Sequence, residues 1–509
     1  MPIVCIVVLA IEPYDRWRTI DGSEVAHDRW RMIDGSEVAR AASALVGRPD
    51  PGDRRIGQRS RGVQMSEHGG ERLSASEIVE LSKRYTLFDW VAQSKASPLP
   101  VVAASGVYFT AADGKRYLDF NSQLMSVNAG HGDSRIADAV AAQVRELAYV
   151  SSAAMTTEVR ALLGRKLAEL YPGDIEKSFF TLGGAEANEN AIRIARAVTG
   201  RLKILARYRS YHGATSGAVT LTGDPRRWAN EPGVPGVVHV LDFYHGTAHP
   251  WDSAADALAL LEETIELEGP ATIAAFIVEP VTGTNGILIP PDGYLQGVRE
   301  LCDRYGILLI ADEVMSGFGR TGAWFAVDHW GVVPDLITCA KGLTSSYVPL
   351  GAVGLAPHVA QYFEDHVFTG GLTYNSHPVG LAAALATIRV YEEDGLIEHA
   401  AKMGEVMRRH HEELAARHPS VGACRNIGLF GCLEIVRNPA TGEPMAPFNS
   451  SSPEMAELLR FAFDNGVFVN LHWNQVMTNP PLCITEEQLA EGFAVLDRAL
   501  EITDRAVVG

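Results

Sequence analysis

The chain has 509 residues, of which 47% are hydrophobic and 21% are charged, and its formal net charge is -18. These values are typical of a globular protein that buries a sizeable core. The negative charge argues against nucleic-acid and anionic-membrane partners, because both carry charge of the same sign. The apolar run Ile3–Ile11 is too short to span a bilayer. The six cysteines of the chain form no CxxC pair, which favours free thiols in a reducing cytoplasm and argues against a disulfide framework or a metal site.

The first 64 residues differ from the rest of the chain. The segment Asp15–Ala26 recurs almost unchanged as Asp28–Ala39, but two copies are too few for a repeat array that buries a core. The stretch Arg48–Gly62, rich in arginine, glycine and proline, has the composition of a disordered segment. We therefore expect residues 1–64 to be a disordered, dispensable extension, with a natural translation start near Met65. Deletion of this extension with full retention of activity is the expected result.

Two local signals predict structure in the following segment. Ser74, with Glu77 three residues later and periodic apolar positions after it, predicts a capped helix start. The dipeptide Asp113-Gly114 lies between strand-forming runs over residues 107–110 and 116–120, and this arrangement predicts a β-hairpin.

From Ser178 onward, short apolar runs alternate with amphipathic helices. The candidate strands are Ser178–Thr181, Lys203–Arg209, Val237–Phe243, Ile273–Glu279, Ile307–Val314, Leu336–Ala340, Leu350–Leu355 and, further on, Leu429–Val436. The candidate helices include 133–150, Ala255–Gly269, Gly293–Tyr305, Leu396–His418, Glu454–Asn465 and Glu486–Asp504. Such alternation predicts an α/β fold whose mainly parallel sheet is covered by helices on both faces. We expect a large domain over residues 131–385 and a smaller α+β domain built from residues 65–130 and 386–509.

Lys341 directly follows the apolar run Leu336–Ala340. Burial penalises the charged ammonium and lowers its pKa. A lowered pKa suits a lysine that must be neutral and nucleophilic, as a Schiff-base lysine must be. The alternative is a lysine at the end of a strand that reaches back to solvent. The loops that follow the other strands decide between these interpretations.

Several of those loops carry candidate functional residues. Gly184 and Ala185 precede a helix, where backbone N–H groups and the helix dipole favour an anion, although a plain strand–helix connection is the alternative. Tyr211 follows the next strand, where its ring can stack on a planar group or pack in the core. Glu279 and Asp312 end two buried strands. A buried carboxylate needs a cationic or hydrogen-bonded partner, and a protonated pyridine nitrogen is a suitable partner for Asp312.

Seven motifs in this order resemble those of the class III aminotransferases, and the resemblance spans nearly all of residues 75–505. The motifs are Gly183–Glu189, Tyr211–Gly213, Glu279-Pro280, Asp312–Val314, Gly317–Gly322, Ala340–Gly342 and Leu372–Tyr374 with His377-Pro378. The resemblance implies a fold-type I enzyme that depends on pyridoxal 5'-phosphate (PLP).

The resemblance also implies roles around the ring of the cofactor. Lys341 would form the Schiff base with the cofactor, and Asp312 would pair with the pyridine nitrogen. Tyr211 would stack on one face of the ring and Val314 would pack on the other. Glu279 corresponds to the acidic residue that the family has near the cofactor.

Phosphate binding implies a partner subunit. By resemblance, Gly184 and Ala185 would bind the cofactor phosphate through their backbone amides. Thr373 would also bind phosphate, but in the site of the neighbouring subunit. The expected assembly is therefore a homodimer with shared active sites.

The implied reaction moves an amino group from an ω-amino acid or amine donor to a keto acid or aldehyde by a ping-pong mechanism. One alternative is another PLP-dependent reaction, such as that of an aminomutase, racemase or decarboxylase. Another is transamination of an aldehyde intermediate of secondary metabolism, and a third is a non-catalytic PLP-binding protein.

The stretches Phe120–Asn128 and Thr220–Trp228 look most like the branch that includes taurine:pyruvate and β-alanine:pyruvate aminotransferases. In that branch, the positions of Leu124 and Met125 line the substrate pocket, and Trp90 is expected to join them. Core packing is the alternative for all three residues. Thr284, in the run after Glu279, is a further pocket candidate.

Two departures from the family leave the substrate open. Many relatives carry an arginine before Pro480 that grips a substrate carboxylate, but Val467–Asn479 contains none. His472 and Asn474 are the candidates in this stretch for a weaker polar contact, unless the substrate is an amine or aldehyde without a carboxylate. Met315 stands where some relatives have a glutamine that bonds the ring hydroxyl of the cofactor, so the residue that makes this contact is unassigned. For Arg320, a structural salt bridge and a substrate contact are both open.

Overall fold

The computed structural model describes residues 73–244 and 253–508, so the predicted extension over residues 1–64 lies outside the described residues. The helices in these ranges are α1 (Ala75–Tyr85), α2 (Ser122–Met125), α3 (Ser134–Glu146), α4 (Glu158–Leu170), α5 (Gly184–Thr199), α6 (Ser216–Leu221), α7 (Ala254–Glu268), α8 (Tyr294–Tyr305), α9 (Pro357–Asp365), α10 (Pro378–Glu393), α11 (Leu396–Arg417), α12 (Pro453–Asp464) and α13 (Glu486–Asp504). None of them is long and apolar enough to cross a membrane.

The strands in the described ranges form three sheets. In chain order they are β1 (Val101–Ser105), β2 (Tyr108–Ala111), β3 (Arg116–Asp119), β4 (Lys177–Thr181), β5 (Lys203–Arg207), β6 (Val237–Val240), β7 (Ile273–Val278), β8 (Leu308–Asp312), β9 (Leu336–Cys339), β10 (Gly351–Leu355), β11 (Val421–Ile427), β12 (Phe430–Asn438), β13 (Glu443–Pro444), β14 (Val467–Phe468), β15 (Asn470–His472) and β16 (Gln475–Thr478).

The largest sheet has seven strands in the order β4-β10-β9-β8-β7-β5-β6. Strands β6, β5, β7, β8 and β9 pair in parallel, whereas β10 is antiparallel to both of its neighbours. Residues of α5 join an apolar core that includes strand residues, and residues of α7 and α8 join another. The predicted α/β fold with a mainly parallel, helix-covered sheet is confirmed. The direction of β10 was not predicted.

A four-stranded sheet, β1-β2-β3-β14, joins distant parts of the chain. Its strands β2 and β3 form the predicted hairpin, in which Gly114 has a φ of +85° that suits the turn. Strand β14 pairs in parallel with β3. This pairing places a C-terminal segment beside residues 116–119, as a small domain assembled from both ends of the chain requires. The domain boundaries themselves stay a prediction.

The remaining sheet has five strands, β11, β12, β16 and β15 in that order with β13 paired to β12, and all of these pairings are antiparallel. Only β12 was predicted there. The predicted start of α1 is confirmed, because Ser74 and Glu77 form a reciprocal capping box with the first turn.

The carboxyl ends of β5, β7, β8 and β9 lie at one edge of the parallel sheet, where ligands bind in open α/β folds. Tyr211 follows the first of these strands, Glu279 the second, Asp312 ends the third and Lys341 follows the fourth. The chemistry predicted from the sequence therefore meets at this edge.

Candidate active site

Lys341 begins a single 3₁₀ turn that follows β9, and its φ is +41°. A positive φ is unfavourable for a residue with a side chain, so the surrounding contacts hold this turn. Burial lowers the pKa of Lys341 from 10.5 to about 8, although the charges of Asp312 and Glu279 act in the opposite direction. The charges of Arg226 and Arg320 lower the pKa further. A neutral, nucleophilic amine is therefore accessible near neutral pH.

Asp312 is buried at the end of β8 and is held by three groups. Its Oδ2 accepts a hydrogen bond from Nδ2 of Asn188 at 2.8 Å and lies 2.7 Å from Nδ1 of His212. Its Oδ1 accepts a hydrogen bond from the backbone N–H of Val314 at 3.1 Å. These contacts fix the orientation of the carboxylate.

Asn188 and His212 were not assigned roles from the sequence, although both lie in motifs that carry the resemblance. Asn188 is itself fixed, because its Oδ1 accepts a hydrogen bond from the hydroxyl of Thr338 at 2.7 Å. Its Nδ2 also donates to the carbonyl oxygen of His212 at 2.7 Å. The signal available in the sequence was a polar residue in each of two motifs that carry the resemblance, whereas the burial of both side chains is visible only in the structure.

Glu279 organises the loop that carries Tyr211. Its Oε1 accepts from the backbone N–H of Tyr211 at 2.9 Å, and its Oε2 accepts from that of Gly283 at 2.8 Å. Burial raises the pKa of Glu279. The Tyr211 ring meets the ring of Trp90 edge-on, with their centroids 6.5 Å apart.

Glycines bring the first turn of α5 close to its neighbours. A Cβ atom on Gly184 would lie 2.7 Å from Cγ1 of Val314, and one on Gly213 would lie 2.5 Å from Cβ of Ala185. The first N–H groups of a helix have no partner within it and carry its positive dipole end. Gly184 and Ala185 therefore present backbone donors suited to an anion beside Val314.

Thr373 is exposed in this single chain. Its carbonyl oxygen accepts a hydrogen bond from the hydroxyl of Tyr149 at 2.6 Å. No hydrogen bond within the described ranges joins Thr373 to Lys341 or Asp312.

The predicted substrate-pocket residues occupy different environments. Trp90 and Leu124 are 66% and 63% exposed, whereas Met125 is only 2% exposed and packs in an apolar cluster with Met315 and neighbouring residues. Thr284 accepts a hydrogen bond from Arg226. Met125 therefore has the core environment that was the alternative to a substrate contact.

His472 is partly buried in β15, and its ring packs against Trp473 with the centroids 4.1 Å apart. Burial, together with the charge of Arg226, lowers the pKa of His472 to about 4. The imidazole is therefore neutral at pH 7, which limits it to hydrogen bonding and excludes ion pairing with a substrate.

Arg226 was not predicted as a site residue. Its guanidinium carbon lies 3.8 Å from the centroid of the Tyr211 ring, and 5.7 Å from that of Trp90. Its Nε lies 3.0 Å from both oxygens of Asp224, and its Nη2 donates to Asp224 and, at 2.7 Å, to the hydroxyl of Thr284. The third nitrogen, Nη1, makes none of these bonds.

Arg320 is fully buried, and among the residues that the structure describes its guanidinium bonds four neutral acceptors on three segments of the chain and no carboxylate. Neither of the two roles left open by the sequence, a salt bridge or a substrate contact, describes this environment.

The comparisons with known proteins agree with this geometry. The family model for class III aminotransferases matches residues 91–500. A putrescine–pyruvate aminotransferase from Pseudomonas aeruginosa is 34% identical, over 80% of this chain and 91% of the relative. A taurine–pyruvate aminotransferase from Bilophila wadsworthia is 34% identical, over 84% of this chain and 98% of the relative.

Solved structures are similar as well. The taurine:2-oxoglutarate aminotransferase from Bifidobacterium kashiwanohense, in complex with PLP and glutamate, is 40% identical with a TM-score of 0.83. The match covers 86% of this chain and all of that one.

The chain belongs to the class III aminotransferase family. It is a fold-type I, PLP-dependent enzyme that transfers an amino group from an amine donor to a keto acid. The residues present suit this cofactor: an amine of lowered pKa, a buried carboxylate at a strand end, and free N–H groups at the start of α5 beside Val314.

Proposed function

We propose that Lys341 binds the cofactor aldehyde covalently through its amine. Asp312 accepts a hydrogen bond from the protonated pyridine nitrogen, and Tyr211 and Val314 face the two sides of the ring. Gly184 and Ala185 bind the phosphate. The contacts that support these roles are the three groups that hold Asp312 and the close approach of Gly184 to Val314.

When bound, PLP supplies an electron sink that stabilises negative charge on the carbon bearing the amino group. Once the donor amine has displaced it from the cofactor, the freed amine of Lys341 would act as the general base that takes the proton from this carbon, because its burial favours the neutral amine. Asp312 keeps the proton on the ring nitrogen in place, and its own position is fixed by His212 and Asn188. Tyr211 orients the ring from a loop that Glu279 holds.

We propose that the enzyme is a homodimer in which Thr373 of each chain binds the phosphate in the site of the other. Thr373 is exposed in the single chain, in a segment that also exposes Tyr374 and that contacts the exposed Tyr149. Exposed aromatic side chains in such a segment suit an interface between subunits. We also propose a cytoplasmic location, since the described cysteines are free thiols.

We propose that the preferred amine donor is an ω-amino acid with a terminal acidic group, and that Arg226 binds this group. The position of Arg226 over the Tyr211 ring is the observation that carries the proposal. Tyr211, which is proposed to face the cofactor, thus has the guanidinium of Arg226 beside its ring. The Nη1 of that guanidinium is not used by Asp224 or Thr284. Guanidinium groups bind carboxylates and sulfonates with directed hydrogen bonds.

Arg226 would thus take the carboxylate-binding role of the arginine that many relatives carry before Pro480. The neutral His472 lies close enough for the charge of Arg226 to lower its pKa, so it adds a hydrogen-bonding group on the same side. Trp90 contributes an exposed aromatic wall, since it contacts both Tyr211 and Arg226. Relatives named for taurine suit an acidic donor, whereas the relative named for putrescine has a donor without an acid group.

A matched donor panel tests the proposal. β-Alanine, taurine and putrescine are compared with propylamine, which has the carbon chain of β-alanine but no acid, using pyruvate, 2-oxoglutarate and an aldehyde as acceptors. We expect kcat/KM for β-alanine or taurine to exceed that for propylamine by at least about tenfold, the scale of one charged hydrogen bond. Equal values for the acidic and the neutral donors would refute the acidic substrate class.

A further inference from the structure

The guanidinium of Arg320 is completely buried without a carboxylate partner. Its Nη1 donates to the carbonyl oxygens of Leu429 at 3.0 Å and Pro480 at 2.6 Å. Its Nη2 donates to the hydroxyl of Ser122 at 3.0 Å and to Oδ1 of Asn128 at 2.8 Å. Burial lowers the pKa of Arg320 to about 10, so the group is still charged at neutral pH. A buried cation bound only by neutral dipoles is costly, and replacement by an apolar residue often stabilises such a site.

One of the four acceptors, Ser122, belongs to a strained segment, and a second, Asn128, lies three residues after this segment. Within α2, Ser122, Gln123 and Met125 have φ values of +47°, +59° and +52°. Non-glycine residues in this region persist only where surrounding contacts over-determine them. Ser122 is held on both sides, because its hydroxyl accepts from Arg320 and donates to the carbonyl oxygen of Asn479 at 2.7 Å.

A second anchor holds the next residue of the strained segment, Gln123. The carboxylate of Asp119 accepts from the backbone N–H of Gln123 at 2.9 Å and from its Nε2 at 2.9 Å. The segment 122–125 is therefore clamped between Asp119 and Arg320. It carries Leu124, which is exposed, and Met125, which is buried.

The same guanidinium is linked to the turn of Lys341. Asn128, which accepts from Arg320, donates through Nδ2 to the carbonyl oxygen of Phe318 at 3.0 Å. A Cβ on Gly342 would lie 2.6 Å from this Nδ2, so the amide packs directly against the residue after Lys341. The positive charge of Arg320 also helps to lower the pKa of Lys341.

We propose that Arg320 is a positioning residue for amine transfer. The hydrogen bonds of its guanidinium to Ser122 and Asn128 hold the strained segment 122–125 in the shape that presents Leu124 to the donor and, through Asn128, fix the turn of Lys341. The proposal rests on the proposed amine transfer and on the expectation, implied by the family resemblance, that Leu124 lines the substrate pocket. It assigns Arg320 no contact with substrate or cofactor.

Three variants test it in the holoenzyme: Arg320→Lys, Arg320→Met and Ser122→Ala. Ser420→Ala is the matched control, since Ser420 is also buried and loses a side-chain hydrogen bond, here to Asp504, away from this network. Amide hydrogen exchange over residues 121–128 is the first readout. We expect exchange about tenfold faster in Ser122→Ala and Arg320→Lys, and unchanged exchange in the control.

Kinetics and cofactor capture are the further readouts. We expect KM for the donor to rise about tenfold in Ser122→Ala and Arg320→Lys while kcat changes less, because uniform binding is lost. The pH midpoint for covalent capture of PLP by the cofactor-free protein should move upward in Arg320→Met and stay in place in Arg320→Lys, which keeps the charge.

Wild-type exchange and wild-type KM in Ser122→Ala would overturn the proposal, whatever the Arg320 variants do. If Arg320→Met does not fold, Ser122→Ala and Arg320→Lys still decide it. Hydrogen exchange does not depend on the donor. If the donor panel shows no preference for acidic donors but exchange over residues 121–128 is faster in the variants, only the proposed acidic substrate class is refuted.

Discussion

Nδ1 of His212 lies 2.7 Å from Oδ2 of Asp312, and both side chains are almost completely buried. Asp312→Asn should lower the rate of the half-reaction with the amine donor by about a hundredfold or more, because an amide cannot hold the proton on the pyridine nitrogen as a carboxylate does. His212→Ala should lower it about tenfold, since Asn188 and the N–H of Val314 still orient the carboxylate. Single-turnover absorbance of the cofactor measures both rates. An Asp312→Asn enzyme at the wild-type rate would contradict the role of Asp312.

Covalent capture of PLP by the cofactor-free protein should depend on pH. Only the neutral amine of Lys341 attacks an aldehyde, and its pKa is about 8. The rate should therefore rise with pH and level off above about pH 8. Lys341→Ala should show neither capture nor turnover, and measurable transamination by this variant would overturn the assignment of Lys341.

Lys341 should also destabilise the cofactor-free protein. Its pKa is lower in the folded chain than the ordinary 10.5, so between pH 8 and 10.5 the unfolded chain binds more protons and stability rises with pH. Below pH 8 the full penalty applies. Lys341→Met should therefore raise the free energy of unfolding at pH 7 by up to about 3 kcal/mol, at 1.36 kcal/mol per pKa unit. Denaturant titrations should show this gain shrinking towards pH 10.5; a gain that is constant with pH would reject the explanation.

Thr373→Ala should weaken cofactor retention by roughly 1.5–3 kcal/mol, the scale of a hydrogen bond to a charged group. Hybrid dimers test whether Thr373 acts on the other subunit. A mixture of Lys341→Ala and Thr373→Ala chains would contain one site with both residues intact only if each site draws them from different chains. Activity at limiting PLP should then recover in the mixture, and no recovery would place Thr373 in the site of its own chain.

Arg226→Met should raise KM for β-alanine or taurine about tenfold or more and leave propylamine within about twofold, because only the acidic donors lose a charged partner. Arg226→Lys should recover part of the loss, since a lysine keeps the charge without the planar fork. Asp224 pairs with Arg226, so Asp224→Asn is a useful companion variant that frees the guanidinium. A uniform loss for all donors would indicate a structural role for Arg226.

The sequence identified the strands and the residues that follow them, because short apolar runs mark buried strands and parallel strands share one functional edge. The predicted strands ending at Arg209, Glu279 and Val314 extend too far, since these last residues leave the hydrogen-bonded ladder and enter the site loops. The antiparallel direction of β10 could not be read, because an apolar run carries no direction.

Arg226 escaped prediction for a different reason. An arginine that binds a substrate carboxylate was expected before Pro480. The arginine proposed for this role, Arg226, lies instead in the turn after Asp224, and only the folded structure places its guanidinium over the Tyr211 ring. Sequence spacing does not record such long-range packing. The different exposure of Leu124 and Met125 could not be predicted either, because it depends on the strained backbone of the segment 122–125.

Gly351, the first residue of the antiparallel strand β10, lies outside all of the recognised motifs but affects the proposed phosphate site. A methyl group on Gly351 would collide with the hydroxyl of Thr181 and would lie 2.6 Å from the carbonyl oxygen of Gly183. This is the turn that leads into Gly184. The absence of a side chain at Gly351 therefore leaves room for the turn that leads into the proposed phosphate-binding residues Gly184 and Ala185, and a side chain at this position would displace that turn.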